Sequence, residues 1–370
     1  MAKKPAKAGT QNVMAEKEIL LLVGTAKGLF ILRRAAGGEK WSIDGPQFAG
    51  RAVYAAMFDD RAGRGDLWAA ATSWHFGAEL LKSTDMGATW DAPERMRIKM
   101  PKRTKQTLEN IWQIAPGGDA DTLYVGVAPA ALFESHDRGE TWKLNSGLWK
   151  HPHRKKWTPG GGGLCLHTIV TEKKDPANIK IAISTGGVYQ SADGGENWQV
   201  TNTGVKAYFL PDPFPEFGQC VHKIARHPSK KKLFFLQNHH GVYRSRDGAV
   251  TWQEIESGLP SNFGFGLTVS ESGSVFIVPL DSDGVRYTCE GKLRVYRSRD
   301  EGKSWQPLTK GLPQKNAYEV ILRDSVASVG DNIFFGTKNG KLYGSGDDGD
   351  SWKLIEGSLP EICCVKAYVI

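Results

Sequence analysis

The sequence predicts an all-β fold, a seven-bladed β-propeller with one recurrent turn per blade, and three observations carry that expectation. A Ser-x-Asp-x-Gly-x-(Thr/Asn/Ser)-Trp motif occurs six times, starting at Ser83, Ser135, Ser191, Ser245, Ser298 and Ser345, with Ala249 replacing the glycine in the fourth copy. The steps between these serines are 52, 56, 54, 53 and 47 residues, and a period near fifty marks a propeller or solenoid. The two ends of the 370-residue chain read as parts of one incomplete blade.

Each motif is hairpin chemistry. Ser and Asp side chains bond the backbone of their own turn, Gly supplies a positive φ, and Trp opens the next strand and packs back over the turn. Around each motif the chain reads as four short strands, A to D from the axis outward, with the motif on the C–D turn. The fifth repeat is the plainest, with strands over 221–225, 233–237, 242–245 and 252–255. Ahead of the first motif, 19–25, 28–33 and 40–43 read as B, C and D of a blade that lacks A and whose turn is worn to AAGGEK. The apolar, β-branched stretch 362–370 supplies the missing strand and closes blade one. Residues 18–370 are then a single propeller, and 1–17 a disordered basic tail. Closure removes exposed edges, and a six-bladed ring is the alternative count.

These turns resemble the Asp-box, or BNR, repeat of the sialidase superfamily, found also in sortilin-type receptors and photosystem assembly factors. The chain from about residue 18 onward is similar to the bacterial WD40/YVTN/BNR-like repeat proteins, often labelled sialidase-like or glycosyl-hydrolase-like. The resemblance implies the propeller fold, and leaves activity open because propellers host many functions.

Composition narrows the classes. Hydrophobic content of 40% with 43 glycines suits an all-β chain with many turns. No run is long enough to span a membrane, and the polar, basic start has no secretory pattern. Five cysteines (Cys165, Cys220, Cys289, Cys363, Cys364) without a disulfide spacing imply a reducing cytoplasm. The net charge of +8 gathers in two loops: 91–106, with six basic and two acidic residues, and 149–158, with Lys150, Arg154, Lys155 and Lys156. That surplus implies a solvated loop face or steering of an anion; no nucleic-acid motif accompanies it.

Long connections fall on the face made by D–A and B–C loops, opposite the motif turns: 91–110, 145–163, 203–218 and 280–291. In sialidases the active site likewise lies opposite the Asp boxes, so a site at the channel mouth is expected. Aligned A strands place Tyr54, Trp112, His167, His222, Phe265 and Tyr318 at one level in blades two to seven, with Cys165 and Cys220 two residues earlier. His75, His239 and His240 arrive on B–C loops. One expectation is therefore one divalent metal ion (Zn, Cu, Fe or Ni) held by His167, His222 and His239 with His75 or a Cys. The others are rings that simply fill blade interfaces, or His167, His222 and His239 acting as general acids, bases or ligand donors. The ligand-binding candidates are Trp74, Trp112, Trp157 and Tyr318 as an aromatic wall, Gly161 and Gly162 in a four-glycine loop able to offer backbone N–H groups, and Lys223. The aromatic, Pro-rich stretch 205–218 reads as a lid or a cap.

Sialidase chemistry itself is not expected. The resemblance would require an Arg-Ile/Leu-Pro tripeptide, and blade one has Arg33-Arg34-Ala instead. Tyr318 and Glu319, adjacent on a strand, would point to opposite faces. A glycosidase with paired carboxylates would draw on Glu109, Asp212, Glu216, Asp281, Asp283 and Glu319, the last the catalytic candidate. The expected ligand is small and polar or anionic. The alternatives are a glycoside hydrolase-like enzyme and a non-catalytic scaffold that binds a protein partner on the loop face.

Overall fold

The computed structural model describes residues 17–73, 75, 77–91, 98–282 and 284–370. They form seven antiparallel sheets arranged as a seven-bladed propeller. Blade one is assembled from both ends of this region: Ile362–Val369, Ile19–Thr25, Gly28–Arg34 and Ser42–Gln47, from the axis outward. Ile19 pairs with Val369 and Thr25 with Ile362, so the expected closing strand is in place and the six-bladed count is excluded. Blade two has three described strands, Ala52–Asp59, Asp66–Ser73 and Gly77–Ser83. The inner strands of blades three to six are Asn110–Pro116, Cys165–Thr171, Val221–Arg226 and Gly264–Val269. Blade seven begins at Val326–Val329, later than the alignment on Tyr318 implied. Among the described residues no helix is long and apolar enough to cross a membrane.

The second strand of a blade is covered on both faces, which is why Ile19–Val23 is a continuous apolar run with every side chain buried. Packing lies between neighbouring blades. Ile19, Leu21 and Val23 of blade one meet Phe334 and Leu342 of blade seven, and Trp68 of blade two meets Ile114 and Phe133 of blade three.

All six motif turns share one network. The serine Oγ donates to the aspartate Oδ1 and accepts the N–H of the glycine, or of Ala249, at 2.7–2.9 Å. Hydrogen bonds from Thr89 hold the Asp85 carboxyl at about 2, and those from Asn197 do the same for Asp193. Two of the tryptophans lock onto the preceding blade: Trp252 donates to the Thr201 carbonyl at 2.9 Å and Trp305 to that of Ile255 at 2.7 Å. The glycine has a second duty beyond its backbone angle. At Gly139, φ is +85°, and a Cβ would stand 2.2 Å from the Trp68 ring of the preceding blade.

Near the axis, Asp324 of blade seven pairs with Lys223 of blade five and, at 2.9 Å, with Lys366 of blade one. Burial alone would raise the Asp324 carboxyl, but the two ammoniums hold it well below the usual carboxylate range. Removing one partner from such a group leaves buried charge uncompensated. Asp324→Ala is expected to cost about 3–5 kcal/mol, read as a lowered urea midpoint. Gly139→Ala is expected to cost about 1–3 kcal/mol from overpacking and backbone strain, while Ser→Ala in an exposed loop leaves the midpoint in place.

Candidate functional site

The inner strands of blades two to six each break register at one equivalent point. The breaks lie between Val53 and Ala55, Ile111 and Gln113, Leu166 and Thr168, Val221 and Lys223, and Gly264 and Leu267. Tyr54, Trp112, His167, His222 and Phe265 sit at these bulges, as does Cys363 in blade one. A bulge re-aims its side chain, so the shared level inferred from the sequence has a backbone cause. Tyr318 does not belong to the set. The inner strand of blade seven shows no such break, and Arg323 lies just ahead of it, next to the Asp324–Cys364 bridge.

A cavity of about 270 Å³ opens on the expected face. Gly160, Gly161 and Gly162 enter from the connection before blade four, and Phe209 and Leu210 from the one before blade five. Ser184 ends the second strand of blade four, and His239 and Arg286 come from the B–C turns of blades five and six. Cys220, His222, Phe265 and Arg323 rise from the inner strands or just ahead of them. No carboxylate is among the described residues lining it.

The electrostatics of the wall follow from its hydrogen bonds. The His222 Nδ1–H donates to the Gly264 carbonyl at 2.6 Å, which leaves the Nε2 lone pair facing the Cys220 Sγ at 3.6 Å. Ser184 Oγ lies 3.4 Å from the same sulfur. Burial pushes the Cys220 thiol up. The His239 ring lies 5.6 Å from that of His222, and one ligand atom from each of Cys220, His222 and His239 falls within 4.8 Å of the others. Arg323 donates to Cys165 Sγ at 3.3 Å and spreads over the Trp112 ring at 5.2 Å. A Cβ on Gly161 would stand 3.7 Å from the Arg286 guanidinium, and one on Gly162 3.9 Å from that of Arg323. The glycine loop and the two arginines therefore face one another.

Of the expected site residues, the structure gathers His222, His239, Gly161 and Gly162 here. It does not bring His167 to the group: its Nε2 lies 2.9 Å from the Val221 carbonyl and its Nδ1 3.0 Å from Thr168 Oγ1, so both ring nitrogens are engaged. His75 is exposed in the turn before Gly77–Ser83 and stands outside the cluster. Trp74 and Asp283 lie outside the described residues. Trp157 is a core residue that donates to the Tyr189 hydroxyl at 2.8 Å, and Trp112 packs on Tyr54, so neither forms a cavity wall. Tyr318 is 55% exposed and packs on Tyr287, Lys223 is committed to Asp324, and Glu319 is buried against Lys341 at 2.7 Å and Asn339 at 3.0 Å. Glu319 thus serves the fold. Thr158 of the second basic loop reaches the cavity, but no basic residue among the described parts of either loop lines it; Arg154, for instance, lies on Trp149 at 3.1 Å. Arg286 and Arg323 escaped the sequence reading, although Arg286 lies within the flagged 280–291 loop and Arg323 lies just ahead of the inner strand of blade seven, which the alignment on Tyr318 placed too early.

No family model matches this chain. It is 23% identical over 362 residues to a xyloglucanase of Hypocrea jecorina, covering 88% of this chain and 38% of that enzyme. It is 27% identical over 203 residues to a xyloglucanase of Acetivibrio thermocellus, covering 48% of this chain and 23% of that enzyme. The chain thus spans well under half the length of the curated relatives it matches. Among solved structures, an ancestral GH74 enzyme superposes with a TM-score of 0.56 at 18% identity, over 81% of this chain and 38% of that one. YCF48 bound to a D1 peptide gives 0.53 at 14% identity, over 82% and 81%. A putative 6-phosphogluconolactonase from Bacteroides uniformis gives 0.56 at 11%, over 95% and 100%. At these identities the likenesses establish the propeller.

Burial, foremost, holds both His167 and His222 well below the ordinary imidazole range, with Arg323 adding to the effect in each. In the unfolded chain they regain a value near 6.5 and take up protons that the native state refuses. Their contribution to stability is therefore complete above about pH 6.5 and falls as the pH drops below it. The urea midpoint is expected to decline from pH 7 to pH 5, and His167→Gln to flatten that decline; an unchanged slope in the variant refutes the assignment.

Proposed function

We propose that this chain is a glycoside-hydrolase-like propeller of the Asp-box type whose axial cavity takes one small saccharide-like ligand carrying an anionic group. The likeness to xyloglucanases favours carbohydrate as the ligand class over the other polar ligands the sequence allowed. The observation that carries the reading is the cavity wall. Arg286 and Arg323 face the Gly160–Gly162 loop with no carboxylate among the described lining residues. Guanidiniums and exposed backbone amides together suit a carboxylate or phosphate group. The volume, just below the range of about 300–1,000 Å³ usual for drug-sized ligands, suits a single sugar ring. Phe209 and Phe265 offer apolar faces for its C–H side.

Hydrolysis asks for more. Two carboxylates must flank the bond, about 5–5.5 Å apart for retention or 6.5–9.5 Å for inversion. They would come from the rim: Asp212, two residues beyond Leu210, and Asp281, whose carbonyl accepts the Arg286 N–H at 3.0 Å. Titration calorimetry with uronic acids, sugar phosphates and neutral sugars tests the binding reading. Acidic sugars are expected to bind, and Arg323→Ala to weaken them about 10–100-fold. Equal affinity for neutral sugars, or no effect of that variant, overturns it. Turnover of aryl glycosides that is lost in Asp212→Asn or Asp281→Asn would establish the hydrolytic step separately.

A further inference from the structure

Three donors on one side of the cavity have a spacing that hydrogen bonding alone does not require. Cys220 and His222 stand two residues apart on either side of Val221, and the bulge at His222 turns its ring back toward the sulfur. His239 reaches the same point from the neighbouring turn of blade five. We propose that Cys220, His222 and His239 bind one zinc-class divalent cation, with a fourth coordination position facing the cavity.

Geometry is the first support. Tetrahedral zinc, with Zn–S of about 2.3 Å and Zn–N of about 2.0–2.1 Å, sets sulfur and nitrogen about 3.6 Å apart. The Cys220 Sγ to His222 Nε2 distance is 3.6 Å. The third donor atom lies within 4.8 Å of both, so a small side-chain rotation of half-buried His239 completes the triad. Donor chemistry is the second. A thiolate with two imidazoles suits zinc over magnesium or calcium, which take oxygen ligands. The outer contact is the third. His222 donates its Nδ1–H to a backbone carbonyl at 2.6 Å, which fixes the tautomer and aims the lone pair at the site, as metal-bound histidines characteristically do. Binding is balanced by release of the Cys220 thiol proton, since His222 is already neutral at Nε2. The ion and thiolate leave one positive charge beside Arg286 and Arg323, which an anion at the open position offsets.

The inference stands apart from the saccharide reading: a propeller that binds no sugar would still bind the cation. The test uses the full chain without a polyhistidine tag, stripped with chelator and titrated with Zn(II) and with Co(II). One ion per chain is expected, with a thiolate-to-cobalt charge-transfer band in the near ultraviolet. Cys220→Ser should abolish the band, and His239→Gln should weaken binding about 10–100-fold, whereas His75→Gln should change neither. Circular dichroism melts confirm that each variant is folded, and the wild-type cobalt spectrum decides the matter even if one is not. Less than about 0.1 ion per chain retained after gel filtration, no charge-transfer band, or an equal loss in His75→Gln overturns the site. Sugar binding with no metal would retire this inference and leave the saccharide reading intact; metal with no sugar would do the reverse.

Discussion

The pairing of Ile362–Val369 with Ile19–Thr25 is the contact on which the remaining blades depend. It joins segments more than three hundred residues apart, and the entropy of closing so long a loop grows only with the logarithm of its length. What that contact secures is burial on both faces of every blade, because each sheet packs on two neighbours and none is left at an end. The Asp324 cluster reinforces the same closure from inside, since its three charges come from blades five, seven and one. A ring opened at blade one would part Lys366 from Asp324 and leave that carboxylate with Lys223 alone.

The site inherits its form from that ring. Inner strands arrive with their starting ends toward one mouth, and in blades one to six a bulge at a repeated level turns one side chain out of register. The ring decides who meets whom, and the residue at each bulge decides the chemistry. Where the residue is Tyr54 or Trp112 the result is packing. At His222 it is a directed lone pair beside a thiol, while blade seven contributes the charge of Arg323 from just ahead of its inner strand.

The fold was legible because its signals are local. A turn motif, a period and an apolar strand at each end are all read along the chain, and they yielded seven blades and the closing strand. The site was legible in part. Cys220, His222 and the glycine loop lie on or beside strands whose alignment held, so their shared position could be inferred. Tyr318 was misplaced because the stretch from Asn316 to Leu322, though apolar and aromatic enough to pass for a strand, is drawn into contacts with the loop of blade six, as in the bond from the Ala317 N–H to Gly291. Lys223 and Glu319 hold ion pairs that the sequence does not show. Their partners, Asp324 and Lys341, are remote in sequence, and a buried ion pair leaves no trace in the neighbours of either residue. Arg286 could be found only once the blade count had fixed which loops converge.

The strand that opens blade one has a particular consequence during biosynthesis. Ile19–Val23 is among the most apolar stretches of the chain, yet its inner neighbour is made more than three hundred residues after it. While the residues between them are made, one edge of that strand is bare, a template for adventitious pairing with other nascent chains. The fold thus makes its greasiest segment wait longest for shelter, and the cell's holding chaperones are the natural custodians of that interval.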